Sequence, residues 1–216
     1  MNWRTAVAAA IGMAALTGCS GATNDTASST SPSAEQGAES PAVDRSCLAA
    51  FGDAAADYQP VDSPEKARQH ADGAAVVRIT GANPGHASTG QNLEFRYASL
   101  TAEVVSPLMG STDVGDEIHV ELAHAADCDA EQLAGVLPQD EDVVVIWREG
   151  IESWGAGLEE QDGAVVDDPP KFLMADGLWY QDASGELRNP TSTYGAVRWE
   201  GAKTVREIAQ SFRGIE

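Results

Sequence analysis

Ile118-His119-Val120-Glu121-Leu122 and Val143-Val144-Val145-Ile146-Trp147 are the two stretches on which the fold turns. The first alternates, so Ile118, Val120 and Leu122 share one face of a strand while His119 and Glu121 point the other way. The second is an unbroken apolar run of strand length, set off by the polar turn Pro138-Gln139-Asp140-Glu141-Asp142. Upstream, Ala75-Val76-Val77-Arg78-Ile79-Thr80 reads as a strand that ends at Gly81, with Asn83-Pro84-Gly85 as turn chemistry. Leu93 to Tyr97 alternates as well, and Leu100 to Val105 can continue it through the sharp bend of a small barrel. Downstream, short strands are expected at Lys171 to Met174, Leu178 to Gln181 and Thr193 to Trp199, with Asp182-Ala183-Ser184-Gly185 as a hairpin turn among them.

Helices flank this β-rich middle. Ser63-Pro64-Glu65 supplies an N-cap, a proline at the first helical position and an early acid, and the helix stops by Gly73. Val205, Ile208, Ala209 and Phe212 fall at i, i+3, i+4 and i+7, the apolar stripe of a closing helix. A helical turn is also expected between Cys47 and Ala56. Many short strands in succession favour a mainly β domain with flanking helices, a small OB-like β-barrel or sandwich, over an alternating α/β fold.

Composition narrows the function. Across 216 residues, 34 acids face 13 Lys and Arg for a formal charge of −21. That balance argues against nucleic acid and against a polybasic membrane patch, and it would attract cations or basic partners.

The N-terminal residues carry one basic side chain, Arg4, then eleven apolar or small residues from Ala6 to Leu16, then Leu16-Thr17-Gly18-Cys19. The apolar stretch has the length of a signal-peptide core and is too short to span a bilayer. Leu-Thr-Gly-Cys resembles the lipobox of bacterial lipoproteins. The resemblance implies that residues 1–18 are removed, that Cys19 takes a diacylglycerol, and that the protein sits on the extracytoplasmic face of the cell membrane. Ser20 to Val43 holds six Ser, three Thr, five Ala, two Gly and two Pro, with Val43 its one large aliphatic residue, a composition unable to offset its ordering entropy. Residues 19–43 are thus expected to be a lipidated, disordered linker reaching on the order of 25 Å, and residues 44–216 the β-rich domain. With Cys19 lipidated, Cys47 and Cys128 remain as an even pair in an oxidising setting. A disulfide between them would close about eighty residues and stabilise by roughly 4 kcal/mol in the chain-entropy model. Two separate buried thiols are the alternative, and no CxxC or His-x-Cys spacing suggests a metal pair.

A second resemblance concerns the barrel. Ala74 to Gly81, Glu103-Val104-Val105 running to Gly110, Val114 to Val120 and Asp142 to Trp147 resemble secreted bacterial OB-type barrels related to the netrin and tissue-inhibitor modules. The likeness covers about residues 74–148, and where such domains often carry Lys-Gly this chain has Met109-Gly110. It implies a binding scaffold more than a reaction.

Catalytic motifs are sparse. Gly150-Ile151-Glu152-Ser153-Trp154-Gly155 and Gly85-His86-Ala87-Ser88-Thr89-Gly90 each miss the GxSxG elbow by one residue. His119 and His124 are five apart, which opposes them on a strand and splays them on a helix, so they do not form a zinc pair. His119 is expected outward on its strand beside Glu121, His124 at a loop start, and His70 and His86 in solvent. Asp127, Asp129 and Glu131 alternate as in a calcium loop, but Gln132 and Pro138 stand where glycine and glutamate are needed.

The densest feature is Asp140 to Asp168, with ten acids and one base, Arg148. Within it Trp154 offers an aromatic face, and Glu149, Glu152, Glu159 and Glu160 offer charge, a combination suited to a cationic group, a sugar or a basic protein surface. Trp147 and Trp199, in strand-like runs, are expected in the core. The reading is an envelope lipoprotein that binds a ligand or an envelope protein, with no catalysis, cofactor or metal expected. Its alternatives are an envelope hydrolase using carboxylates and a structural lipoprotein acting only through a protein partner.

Overall fold

The computed structural model describes residues 45–48, 60–89, 94–124, 128–150, 157–191 and 197–214. All belong to one unit spanning Ala38–Glu216. The strands are β1 (Gly73–Thr89), β2 (Glu94–Met109), β3 (Glu117–His124), β4 (Val143–Glu149), β5 (Gly157–Glu160), β6 (Lys171–Gln181) and β7 (Leu187–Arg188). The helices are α1 (Arg45–Leu48), α2 (Pro64–His70), α3 (Ala130–Val136) and α4 (Val205–Arg213).

Five of the strands close on themselves. β1 pairs with β2, β2 with β3, β3 with β6, β6 with β4, and β4 again with β1, so backbone hydrogen bonds run round a ring. Closure removes the edges that an open sheet of this size would expose. Within the ring the β3–β6 contact, Val120 opposite Lys171 and Glu121 opposite Phe172, is parallel and the rest are antiparallel. With α3 between β3 and β4, this is the order of an OB-like barrel.

β1 is long because it serves three neighbours. It pairs with β2 along its length, while Gly73–Val77 also meet β4 and His86–Thr89 meet β5. Four register shifts against β2, the last between Pro84 and Ala87, let it bend round the barrel. The expected turn at Asn83-Pro84-Gly85 is therefore a correction: the chain does not reverse there, and Pro84 is accommodated beside an irregularity in the pairing. The runs from Lys171 and from Leu178 are likewise one strand, β6, and the turn Asp182–Gly185 leads to β7. Residues 197–199 are not a strand, and 192–196 lie outside the described residues.

Alternation sorts the side chains into two cores. Inside the barrel sit Val77, Ile79, Leu100, Val104, Ile118, Val120, Leu122, Val145, Trp147 and Leu178. Leu133 and Leu137, from α3 and its C-cap, pack into the same cluster. α3 starts with a reciprocal cap in which Asp129 accepts from the Gln132 N–H and Gln132 accepts from the Asp129 N–H. The residue before that cap, Cys128, is joined by a disulfide to Cys47 of α1.

The second core lies outside the β1–β4–β6 wall. Val76, Val144, Ile146 and Trp179 point away from the barrel and meet Val61, Ala67 of α2, Trp199, and Ile208 and Phe212 of α4. A strand buried on both faces has no polar alternation to show, which is why Val143 to Trp147 is apolar throughout. Trp199 stands edge-on to Trp179 at 5.6 Å and lies 5.7 Å from Phe212, and its indole N–H donates to Ser211 Oγ. Thr204 caps α4 by accepting from the Glu207 N–H, and Glu207 Oε2 accepts from the Lys203 backbone N–H.

Candidate functional site

The outer face of β2 and β3, together with the loops after the first and fourth barrel strands, is where OB barrels commonly bind ligands. Here that face is polar and already covered. β5 pairs with the far end of β1, and the chain beyond it folds over: the N–H of Gln161 donates to Gly85 O and that of Val165 to Pro84 O. The Gln161 side-chain amide donates to three carbonyls, those of Gly85, His86 and Tyr97. Leu158 of β5 packs against Tyr97, Ala123 and Phe172.

Beneath this cover lies a histidine–carboxylate pair. Glu121 Oε2 accepts from the His86 backbone N–H at 2.7 Å, and Oε1 lies 2.5 Å from His86 Nδ1. Glu121 is 1% exposed and His86 8%. Burial pushes the Glu121 carboxyl above the usual carboxylate range, His86 pulls it back through its backbone and ring, and Glu160 adds to the rise. Tyr97, on the same face, is pushed up to about 12 by burial and by Glu121. Gly85 makes the close approach possible, since a Cβ there would meet Glu121 Oε2 at 2.6 Å and Tyr97 O at 3.1 Å.

Two residues back on β3, His119 repeats the theme. Its Nδ1 lies 2.9 Å from Asp167 Oδ1, its backbone N–H donates to Oδ2, and Lys171 Nζ bonds the same carboxylate at 2.5 Å. Burial would raise Asp167, but the hydrogen bonds from Lys171 and His119 outweigh it and hold the carboxyl below its ordinary range.

A histidine held by a carboxylate is two-thirds of a hydrolytic triad. Ser99, opposite Glu121 across the β2–β3 pair, is fully buried on this face, but its Oγ has no hydrogen-bond partner. It does not complete the third position. Among the described residues no group of three metal-ligating side chains comes together.

The histidine expectations are corrected accordingly. His86 is buried beneath the cover, not solvated, and His124 is a buried residue of β3, not a loop start. His119 does point out of the barrel, as its alternation requires, but onto Asp167. Of the acidic segment, Trp154 and Glu152 lie outside the described residues. Glu149 ends β4, exposed, with its N–H on Asp72, while Glu159 and Glu160 are exposed on β5 opposite Ala87 and His86. None of these three lines the concave surface described next.

That surface is a groove of 530 Å³ between α4, the outer faces of β1 and β2, and the turn before β4. Val76, Val105, Val205 and Ala209 contribute apolar lining, and three arginines and three acids carry the charge. Arg78 is tied to Asp142, Nε to Oδ1 at 3.2 Å, and Arg213 reaches Ser106 Oγ at 3.5 Å. Asp140 holds its backbone at φ 61°, a left-handed conformation that aspartate tolerates better than most residues. Nothing in the sequence marks this groove, because Asp140–Asp142 and Arg206–Arg213 are more than sixty residues apart.

The fold and these surfaces define a closed OB-like β-barrel with its ordinary ligand face covered from within and a charged groove beside its C-terminal helix. Comparison of the chain with protein-family models, with curated proteins and with solved structures finds no match.

Proposed function

We propose that this chain is a lipid-anchored binding protein on the extracytoplasmic face of a bacterial cell membrane. The Leu16-Thr17-Gly18-Cys19 run supports the anchor, with Cys19 as the acylated residue and the Ser- and Thr-rich residues 20–43 as a tether between bilayer and barrel. A diacylglycerol on Cys19 is then the membrane attachment; among the described residues no helix is long and apolar enough to cross a bilayer. The observation that carries the binding half is the open, charge-lined groove at α4 on a barrel whose commoner ligand face is taken up by its own chain. The Trp154 segment, with Glu149, Glu152, Glu159 and Glu160, is a second contact region of this reading, facing a cationic or protein partner.

The test is metabolic labelling with an alkyne fatty acid in a bacterial host, followed by membrane fractionation. The wild-type chain should take the label and sediment with membranes, and Cys19→Ser should lose both. A Cys19→Ser protein that stays in the membrane fraction would overturn the anchor. Trp154→Ala should lose capture of an envelope protein if that segment is the partner surface.

A further inference from the structure

The groove at α4 carries opposite charges, of which only Arg78 and Asp142 are paired with one another. Arg206, Ala209 and Arg213 lie at i, i+3 and i+7, so one stripe of α4 carries two arginines whose backbone positions are roughly 10 Å apart, with a small alanine between them. Asp140 and Glu141 line the same groove from the turn before β4. Among the described residues Arg206 has no ion-pair partner, and neither does Asp140 or Glu141. In a chain of net charge −21, an exposed arginine left unpaired beside two unpaired carboxylates implies walls too far apart to bond directly. Asp142 does reach across to Arg78, so contact between acid and base is possible in this groove where the distance allows it. The lining between the charged groups is apolar, from Val76, Val105 and Ala209.

We infer that the groove binds a small zwitterion of short-peptide size, its carboxylate on the arginine stripe of α4 and its ammonium on Asp140 and Glu141. The volume of 530 Å³ falls within the range of small-ligand clefts, and an apolar spacer between the two charges matches the apolar lining. A simple anion would use the guanidiniums but meet two uncompensated acids, and a simple cation would face the reverse. The zwitterion satisfies both walls. This inference rests on the binding reading above and gives it a ligand class.

The experiment is isothermal titration calorimetry on the full chain with three peptides: tri-alanine with free ends, N-acetyl-tri-alanine, which is an anion, and tri-alanine amide, which is a cation. Free tri-alanine should bind, and each blocked peptide should bind about tenfold more weakly or worse, since each loses one set of charged hydrogen bonds. The double variant R206A/R213A should lose binding of free tri-alanine. Both side chains sit at the surface, and an unchanged circular dichroism melt would show that the fold persists. Glu141→Ala should leave N-acetyl-tri-alanine binding as well as before or better, while weakening free tri-alanine. Equal binding of the free and acetylated peptides would overturn the zwitterion, and so would free tri-alanine binding that survives R206A/R213A. No binding of any of the three at millimolar concentration would overturn the inference alone, because the anchor is judged separately by Cys19→Ser labelling.

Discussion

The barrel has two covered outer faces, and they are covered by different physics. The β1–β4–β6 wall is sealed by α2 and α4 through an apolar cluster in which Trp179, Trp199, Ile208 and Phe212 interlock. The β2–β3 wall is sealed by the far end of β1 and the chain after β4 through hydrogen bonds, with Glu121 on His86, Asp167 on His119 and Lys171, and the Gln161 amide on three carbonyls. Apolar cover depends on area removed from water and is nearly indifferent to pH. Polar cover depends on each buried donor and acceptor finding its partner, so it is more specific and responds to protons.

The largest expected effect is on the apolar side. Trp199→Ala empties the space between Trp179 and Phe212 and should lower stability by about 4 kcal/mol. Urea unfolding followed by circular dichroism should show a lower midpoint with an unchanged slope, at pH 5 and at pH 8 alike. A cost that varied strongly between the two pH values would break the contrast between the faces.

On the polar side, His86→Ala leaves Glu121 buried without its ring partner, and near pH 8 it should cost about 3 kcal/mol. The sign of the pH dependence follows from the carboxyl. Glu121 has a folded-state pKa above its unfolded value, so its stabilising contribution is complete below the unfolded pKa and is lost as pH rises through the folded one. Removing the His86 ring takes away an influence that lowers that pKa, so the loss at high pH deepens. The gap between wild type and variant in urea midpoint should therefore be wider at pH 8 than at pH 5. A gap that narrowed as pH rose would show that Glu121 is not the group left unpaired.

The same contrast explains what could be read from the sequence. The apolar face was legible because its signals are local: the run Val143 to Trp147, the stripe Val205-Ile208-Ala209-Phe212, and the Ser63-Pro64 cap that starts α2. The barrel class followed from the number and spacing of the short strands. The polar face was not legible, because alternation in β3 says only that His119 and Glu121 point out of the barrel. Outward is not solvent here, because the cover comes from residues about forty positions away in β5 and the chain to Asp167. The burial of His86 is hidden in the same way, since Asn83-Pro84-Gly85 has the chemistry of a turn but sits in a bent strand where Gly85 lets Glu121 come close. The groove leaves no local signal because its walls meet only in three dimensions, whereas the Asp129-x-x-Gln132 cap of α3 is a local signal whose acid also fits the alternation of a calcium loop.

The smallest of these effects sharpens the comparison most, because it separates the two histidine–carboxylate pairs on one face. Asp167→Ala removes the acceptor shared by His119 and Lys171, and at pH 7 it should cost about 1–3 kcal/mol. Here the sign is opposite to that of Glu121. Asp167 has a folded-state pKa below its unfolded value, so its contribution is present above the unfolded pKa and is lost as pH falls through the folded one. The urea midpoints of wild type and Asp167→Ala should converge below about pH 4, near the ordinary aspartate value, whereas the His86→Ala gap keeps widening above it. Both carboxylates hold a histidine, but Glu121 is dominated by burial and Asp167 by its donors. If the two variants instead shared one pH profile, the face would be titrating as a single unit, and the cover over β2 and β3 would be one cooperative clasp instead of two independent ones.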